Sequence, residues 1–378
     1  MKILYCSENF CPHDHRFLTA LAKTDHEIHW FRLSGANNVQ EQRDIPSGIR
    51  FVEWPALKSK ITWMDYFHLK RKFKNVVEKI KPDLIHAGPI QTVALLPALV
   101  GFHPLISMSW GFDMLEDANR NWFWKAITTF VLGKSDWLFA DCQTVKNMAI
   151  KFGFPEENIT VFPWGVDLDH FVIRNQAETR QKLELKDDFI IIHTRSWEPR
   201  YGVDVALRGF QKAARSNPFL KMIMLSGGSQ KDEIQKFVEQ HDLTKQVLFY
   251  GYQKNEDLAA FYQAADMYLS ASHVDGSSVA LMESMACGCP GLVSDIPSNL
   301  EWITDGVEGW TFKDGDADDL AKKIETAVQY RDDLASLGSA ARRKTEEKAN
   351  WDKNVKKFVA VYQVFADNMK SSKETGEF

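Results

Sequence analysis

SASHVDGSSVALMESMACGCP, Ser270–Pro290, is the stretch from which the rest of the chain can be read. An apolar run, Met267–Ser270, leads into it, and Gly276, Ser277 and Ser278 interrupt it before a helix starts near Val279. Strand, tight turn and helix follow one another within a few residues. The first N–H groups of such a helix have no intrahelical acceptor, and the helix dipole adds positive potential there. Ser277, Ser278 and Val279 therefore frame an anion site suited to phosphate. Asp275 stands before the turn, placed to meet a sugar near the phosphates, and Glu283 lies inside the helix, where a carboxylate can grip paired hydroxyls such as those of a ribose. An N-cap aspartate and a surface helix glutamate would give the same letters.

Moving outward, the same unit repeats. Strand Lys2–Cys6, helix Phe17–Lys23, strand Glu27–Leu33, a basic helix from about Trp63 to Ile80, strand Asp83–His86 and helix Gln91–Val100 alternate. Strand Leu105–Ser109, helix Trp122–Gly133 and strand Trp137–Cys142 continue the series. After a hinge-like Gly165–Arg174 the alternation restarts at Phe189–Thr194 and runs to helix Asp318–Tyr330. Repeated β-α units predict parallel sheets covered on both faces. The expected fold class is α/β, with two doubly wound, Rossmann-like domains over residues 1–167 and 168–350. Residues 351–378 carry a helix, about Trp351 to Met369, that crosses back to the first domain and ends in a polar, frayed tail, SSKETGEF. Facing domains of this kind leave a central cleft at the carboxyl ends of their sheets, where ligands gather.

Composition agrees with a two-domain globular protein: 378 residues, 44% hydrophobic and 26% charged, with no biased tract. A net charge of -5 gives no global basic field for nucleic acid. Charge is uneven, though. Arg50, Lys58, Lys60, Lys70, Arg71, Lys72, Lys74, Lys79 and Lys81 make one segment basic, and its helix around His68–Lys74 is a candidate contact for anionic lipid headgroups. Five cysteines form no C-x-x-C pair, which fits reduced thiols and a cytoplasmic setting. No run of about 18 apolar residues spans a membrane.

Upstream of the opening stretch, FIIIHTRSWEPRYGVD, Phe189–Asp204, places Arg195 just past a strand and Arg200 in the following loop. Two guanidinium groups at that edge suit a diphosphate, although either alone could be a surface ion pair. Arginines and a helix start from adjacent units of one sheet together favour a diphosphate site.

These motifs resemble the GT-B-fold retaining glycosyltransferases of group 1, the large family of bacterial mannosyl- and glucosyltransferases. That family carries two carboxylates in a stretch like EGFGLVLLEAMACGLPV; here DGSSVALMESMACGCPG aligns Asp275 with the first and Glu283 with the second. PWGVDLDHF, Pro163–Phe171, is similar to its interdomain PNGVDxxxF, TRSWEPRYGVDVALRGF to its GRLxxxKGxxxLIxAF, and ANWDKNVKKFVAVY to its final helix. LFYGYQKNEDLAAFYQAADMYLSAS is similar to the strand-helix-strand before its carboxylates. The resemblance covers the carboxy-terminal half almost continuously and the first half less well.

Carried over by position, it implies that Arg195 binds the donor diphosphate, that backbone at Ser278 and Val279 cradles it, and that Glu283 holds the ribose. Asp275 would face the donor sugar, and Gly251 and Tyr252 would lie near the base. Tyr201 replaces the family's usual lysine, so Arg200 would supply the second charge. SMSWGFDM puts Trp110 where a catalytic-loop histidine is common, which makes Asp113 the candidate to touch the sugar. The first domain would bind the acceptor through CPHDHRF and HAGP, with His13, His15, Arg16 and His86 at strand ends.

The implied reaction is retaining transfer of a hexose from a nucleotide diphosphate sugar, UDP-glucose being the best choice, to a saccharide or lipid-linked saccharide in polysaccharide or glycoconjugate synthesis. No metal or other cofactor is expected, because arginines and a helix terminus can neutralise the leaving group. The pairs Asp167/Asp169 and Asp316/Asp318 read as structural. A nucleotide-sugar epimerase of the same fold and an inactive nucleotide-sugar-binding protein are the alternatives. A Rossmann dehydrogenase is disfavoured, since no G-x-G-x-x-G follows the first strand.

Overall fold

The structure is a computed structural model and describes residues 1–34, 41, 43–53 and 65–375, with side chains described to Ser371. Lys58, Lys60, Trp63 and the end of the tail lie outside the described residues. The chain forms two compact units, Met1–Phe162 with Val355–Phe378, and Pro163–Asn354.

In the first unit the elements are β1 (Lys2–Ser7), α1 (Pro12–Leu21), β2 (Glu27–Arg32), β3 (Ile49–Val52), α2 (Asp65–Ile80), β4 (Leu84–Ala87) and α3 (Leu95–Val100). They continue as β5 (Leu105–Met108), α4 (Phe112–Leu115), α5 (Trp122–Leu132), β6 (Trp137–Ala140), α6 (Gln143–Lys151) and β7 (Ile159–Val161). Among the described residues, seven strands make one parallel sheet in the order β3-β2-β1-β4-β5-β6-β7. Alternate residues face opposite sides. Leu4, Cys6, Ile85 and Ala87 point to a core with α2, α3 and α5. Tyr5 and His86 point the other way, into an aromatic cluster with Phe139, Phe162, Phe358 and Tyr362.

The second unit contains α7 (Gln176–Lys182), β8 (Phe189–His193), α8 (Val203–Ala214), β9 (Leu220–Leu225), α9 (Lys231–Gln240), β10 (Val247–Gly251), α10 (Asn255–Ala264) and β11 (Met267–Ser270). α11 (Val279–Ala286), β12 (Gly291–Ser294), α12 (Pro297–Leu300), β13 (Gly309–Phe312), α13 (Ala317–Gln329) and α14 (Leu334–Lys348) complete it. Its six described strands are parallel, in the order β10-β9-β8-β11-β12-β13. Phe189 and Ile191 face one core, and Ile190 and Ile192 face the other. This is the two-sided burial that near-continuous apolar strands require.

PWGV belongs to this second unit. Val166 N–H donates to Ala349 at 2.8 Å, Trp351 N–H donates to Val166 at 3.1 Å, and Asn354 Nδ2 donates to Pro163 at 2.9 Å. A side chain at Gly165, where φ is +71°, would stand 2.6 Å from the Ala349 carbonyl oxygen. The last helix, α15 (Trp351–Thr375), starts in the second unit, and from Val355 it belongs to the first. The crossing helix expected from sequence is thus present.

α1 begins earlier than its apolar pattern indicates. Pro12 occupies its first turn, and the Asp14 carboxylate accepts the Cys11 N–H at 3.1 Å, an end made by local capping. His13, His15 and Arg16 consequently sit on a helix and not in a loop.

Candidate active site

β8 is followed in sequence by β9 on one side of it, while β11 pairs on its other side, so strand order reverses between β8 and β11. Open parallel sheets place their ligands beside the loops that leave such a pair of strands. Arg195 lies on the first of these loops, and Asp275, Ser277 and Ser278 lie on the second.

The two loops are tied together. Arg195 Nη2 lies 2.9 Å from Asp275 Oδ2, and both side chains are only about 15% exposed, at 15% and 14%. Arg195 Nη1 donates to Ser278 Oγ at 3.3 Å, and Ser278 is the N-cap of α11, where it accepts the Leu281 N–H at 3.4 Å. The guanidinium also lies 4.1 Å from the centre of the Tyr201 ring, close enough for a cation–π contact. Burial opposes charge on Arg195, but Asp275 and the surrounding tyrosines outweigh it, so the guanidinium stays protonated. Burial pushes the Asp275 carboxyl above its ordinary range, against the pull of Arg195, the Gly276 N–H and Arg200. The pair is poorly aligned: Arg195 Nε and Asp275 Oδ2 are both buried without a hydrogen-bond partner. Arg195 therefore keeps donor capacity for an incoming anion beside the start of α11.

The remaining expected residues fall as follows. Glu283 is buried on α11 and accepts the Tyr262 hydroxyl at 3.2 Å; that hydroxyl also lies 3.2 Å from Thr194 Oγ1. Ser277 Oγ accepts the Trp302 indole N–H at 3.2 Å, which fixes the turn before α11. The backbone oxygen of Arg200 accepts the His273 N–H at 2.9 Å, joining the two loops a second time. Gly251 ends β10, two strands away from β8, and Tyr252 beyond it is 63% exposed. Asp167 Oδ1 accepts from the Asp169 and His170 N–H groups, and Asp316 Oδ1 caps α13.

In the first unit two expectations need correction. His86 lies inside β4 at 1% exposure, with Nδ1 bonded to the Tyr362 hydroxyl. Burial pushes its pKa down to about 3, so it is a neutral core residue with no surface to offer an acceptor. Asp113 is fully buried in α4, and its carboxylate accepts from Ile90 N, Ser109 Oγ, Trp110 N and Met114 N at 2.6 to 3.0 Å. With its lone pairs taken by protein donors, it builds the loop after β5 and does not reach for a sugar. Trp110 on that loop stands edge-on to His13, with ring centroids 6.2 Å apart.

Sequence reading missed the parts that four residues play. Tyr201 is the shelf under Arg195. Tyr262 and Tyr268 are buried beside the charged pair, and Arg195 lowers a Tyr268 pKa that burial otherwise raises. His193 closes β8 with both ring nitrogens lacking a partner, and burial followed by the Arg195 charge lowers its pKa to about 3.

The sequence pattern described as "Glycosyl transferases group 1" matches residues 175–344, and that described as "Glycosyltransferase Family 4" matches residues 13–170. WcaL of Escherichia coli, a glycosyltransferase named for colanic acid biosynthesis, is 28% identical over 53% of this chain and 50% of its own length. AmsK of Erwinia amylovora, an amylovoran biosynthesis glycosyltransferase, is 26% identical over 53% of this chain and 49% of its own. The chain thus spans about half the length of these curated relatives. In fold it is similar to Anabaena HepE, crystallised with UDP, with a TM-score of 0.76 at 18% identity, covering 98% of this chain and 100% of that one. The sucrose-phosphate synthase of Thermosynechococcus elongatus gives a TM-score of 0.80 at 19% identity over 97% and 100%. With both halves matched by glycosyltransferase patterns and the paired sheets matching GT-B structures, the chain belongs to the group 1 glycosyltransferases.

Proposed function

We propose that this protein transfers a hexose, with retention, from a nucleotide diphosphate sugar to a saccharide or lipid-linked saccharide in polysaccharide synthesis. UDP-glucose is the preferred donor in this reading. The observation that carries it is Arg195, buried against Asp275 and Tyr201 at the start of α11 and at the reversal of strand order. A diphosphate there replaces the poorly aligned Asp275 contact with in-line hydrogen bonds to Arg195 and to the α11 N–H groups. These fixed charges stabilise the anion that develops on the leaving oxygen, so transfer proceeds without a divalent ion. The leaving phosphate oxygen takes the acceptor proton on the same face. Glu283 holds the ribose hydroxyls, and Asp275, released from Arg195, faces the sugar. Relatives named for colanic acid and amylovoran biosynthesis support the acceptor class.

The test is incubation with UDP-glucose in EDTA while UDP release and the anomeric configuration of the product are followed by NMR. Slow UDP release with an α-configured product is expected. An inverted product would overturn retention, loss of activity in EDTA would overturn metal independence, and binding without turnover or release of an epimerised sugar would replace the transferase reading.

A further inference from the structure

Tyr268 carries a hydroxyl for which the donor chemistry has given no use. The residue lies on β11, beside Ile192 of β8 in register, and is 0% exposed. Its ring and that of Tyr262 are 6.2 Å apart, centroid to centroid. Tyr262 commits its hydroxyl to Glu283 and Thr194, whereas Tyr268 Oη makes no hydrogen bond. The serines near it are engaged elsewhere, Ser278 with Arg195 and Leu281, and Ser270 with Ser272.

A buried hydroxyl without a partner is costly, and here it does not stand alone. Arg195 Nε and Asp275 Oδ2 are likewise buried and without hydrogen bonds. Burial raises the Tyr268 pKa to about 12, Arg195 pulls against that rise and the Asp275 carboxylate adds to it, so the three groups feel one another's charge. His193 is another buried donor without a partner among the described residues of this unit. Strand alternation, however, puts it with Phe189 and Ile191 on the face opposite Tyr268.

A diphosphate that takes the Arg195 guanidinium leaves the Asp275 carboxylate buried and next to further negative charge. The carboxylate then needs a donor of its own. Tyr268 is fully covered and can act on a ligand only through a neighbour; Asp275, with 14% of its side chain exposed, is that neighbour.

We infer that Tyr268 is the positioning residue for Asp275: as the diphosphate takes Arg195, the carboxylate passes from the guanidinium to the Tyr268 hydroxyl, which holds it toward the donor sugar. The inference rests on the reading of Arg195 as the diphosphate residue and adds the group that receives Asp275 once Arg195 is occupied.

A double-mutant cycle tests it, with UDP in EDTA as the ligand and calorimetric titration as the readout. Tyr268→Phe should weaken UDP binding by at least about tenfold. In an Asp275→Ala background the same change should alter binding by less than about twofold. Without UDP, Tyr268→Phe should keep the Tm of the parent, since the hydroxyl removed had no bond to lose. A loss that persists in the Asp275→Ala background would overturn the inference, because Tyr268 would then act on the nucleotide without Asp275. No loss in either background, or a lower Tm without UDP, would overturn it too and leave Tyr268 a core residue. Arg195→Ala separates the inference from the reading beneath it. If that variant binds UDP as tightly as the parent, the diphosphate reading fails and the inference with it; if it loses UDP while the cycle shows no coupling, the Tyr268 inference fails by itself.

Discussion

The guanidinium of Arg195 lies 4.1 Å from the centre of the Tyr201 ring. The ring is a shelf for a desolvated cation. Cation–π contacts of this kind are worth about 0.5 to 2 kcal/mol. Tyr201→Ala should therefore weaken UDP binding by about three- to thirtyfold in calorimetric titration, while Tyr201→Phe should bind as the parent does. Equal loss in both would show that the hydroxyl, not the ring, carries the effect.

Arg195→Ala should remove the rise in Tm that UDP produces in EDTA, each protein being compared with its own unliganded Tm. Arg195→Lys should restore little of it, because an ammonium cannot supply the planar fork. Stabilisation of Arg195→Ala equal to that of the parent would remove the diphosphate from this site.

Glu283 tests the ribose assignment. The parent should prefer UDP to its 2'-deoxy analogue by about tenfold or more, since a carboxylate built for a hydroxyl loses its partner without it. Glu283→Gln should narrow that preference to about threefold. A parent with no preference would return Glu283 to a purely structural bond with Tyr262.

Gly202, at φ +57°, brings α8 to the loop after β11; a Cβ there would stand 2.0 Å from the Ala271 carbonyl oxygen. Gly202→Ala should cost at least about 2 kcal/mol in urea unfolding, and it should weaken UDP binding because Arg200 and Tyr201 move with the loop.

Burial raises the Asp14 carboxyl to about 7 from an ordinary 3.8, against bonds from Cys11, Ser7 and Tyr5 that lower it. Between those values the folded protein keeps a proton that the unfolded chain has lost, so this group costs stability as pH rises to about 7 and no more above it. His86 and His193, lowered to about 3, act oppositely below 6.5 and mask the trend in the parent. The stability difference between Asp14→Asn and the parent should grow by about 1.4 kcal/mol per pH unit from pH 4 to 7 and then level off. A flat difference across urea titrations would mean Asp14 is ionised in the fold.

Much of this architecture was legible from one dimension. Parallel strands buried on both sides must be short apolar runs, so Phe189–His193 and Met267–Ser270 announced themselves, and the turn at Ser277 and Ser278 located the helix start that the structure shows. The misplaced start of α1 also had a local signal, Pro12 with Asp14 two residues on, which outweighed the apolar pattern used to place it. What only tertiary structure decided is which group each side chain meets. His86 and Ile85 differ by one residue, yet strand alternation sends His86 against Tyr362, 276 positions away, and a helix folded back from the chain's end determines that it is core. Asp113 is a candidate for the sugar in the sequence alone, but Ile90 and the loop after β5 donate to its carboxylate. Backbone state is set by neighbours in sequence, whereas burial and charge pairing are set by neighbours in space, and only the fold supplies those.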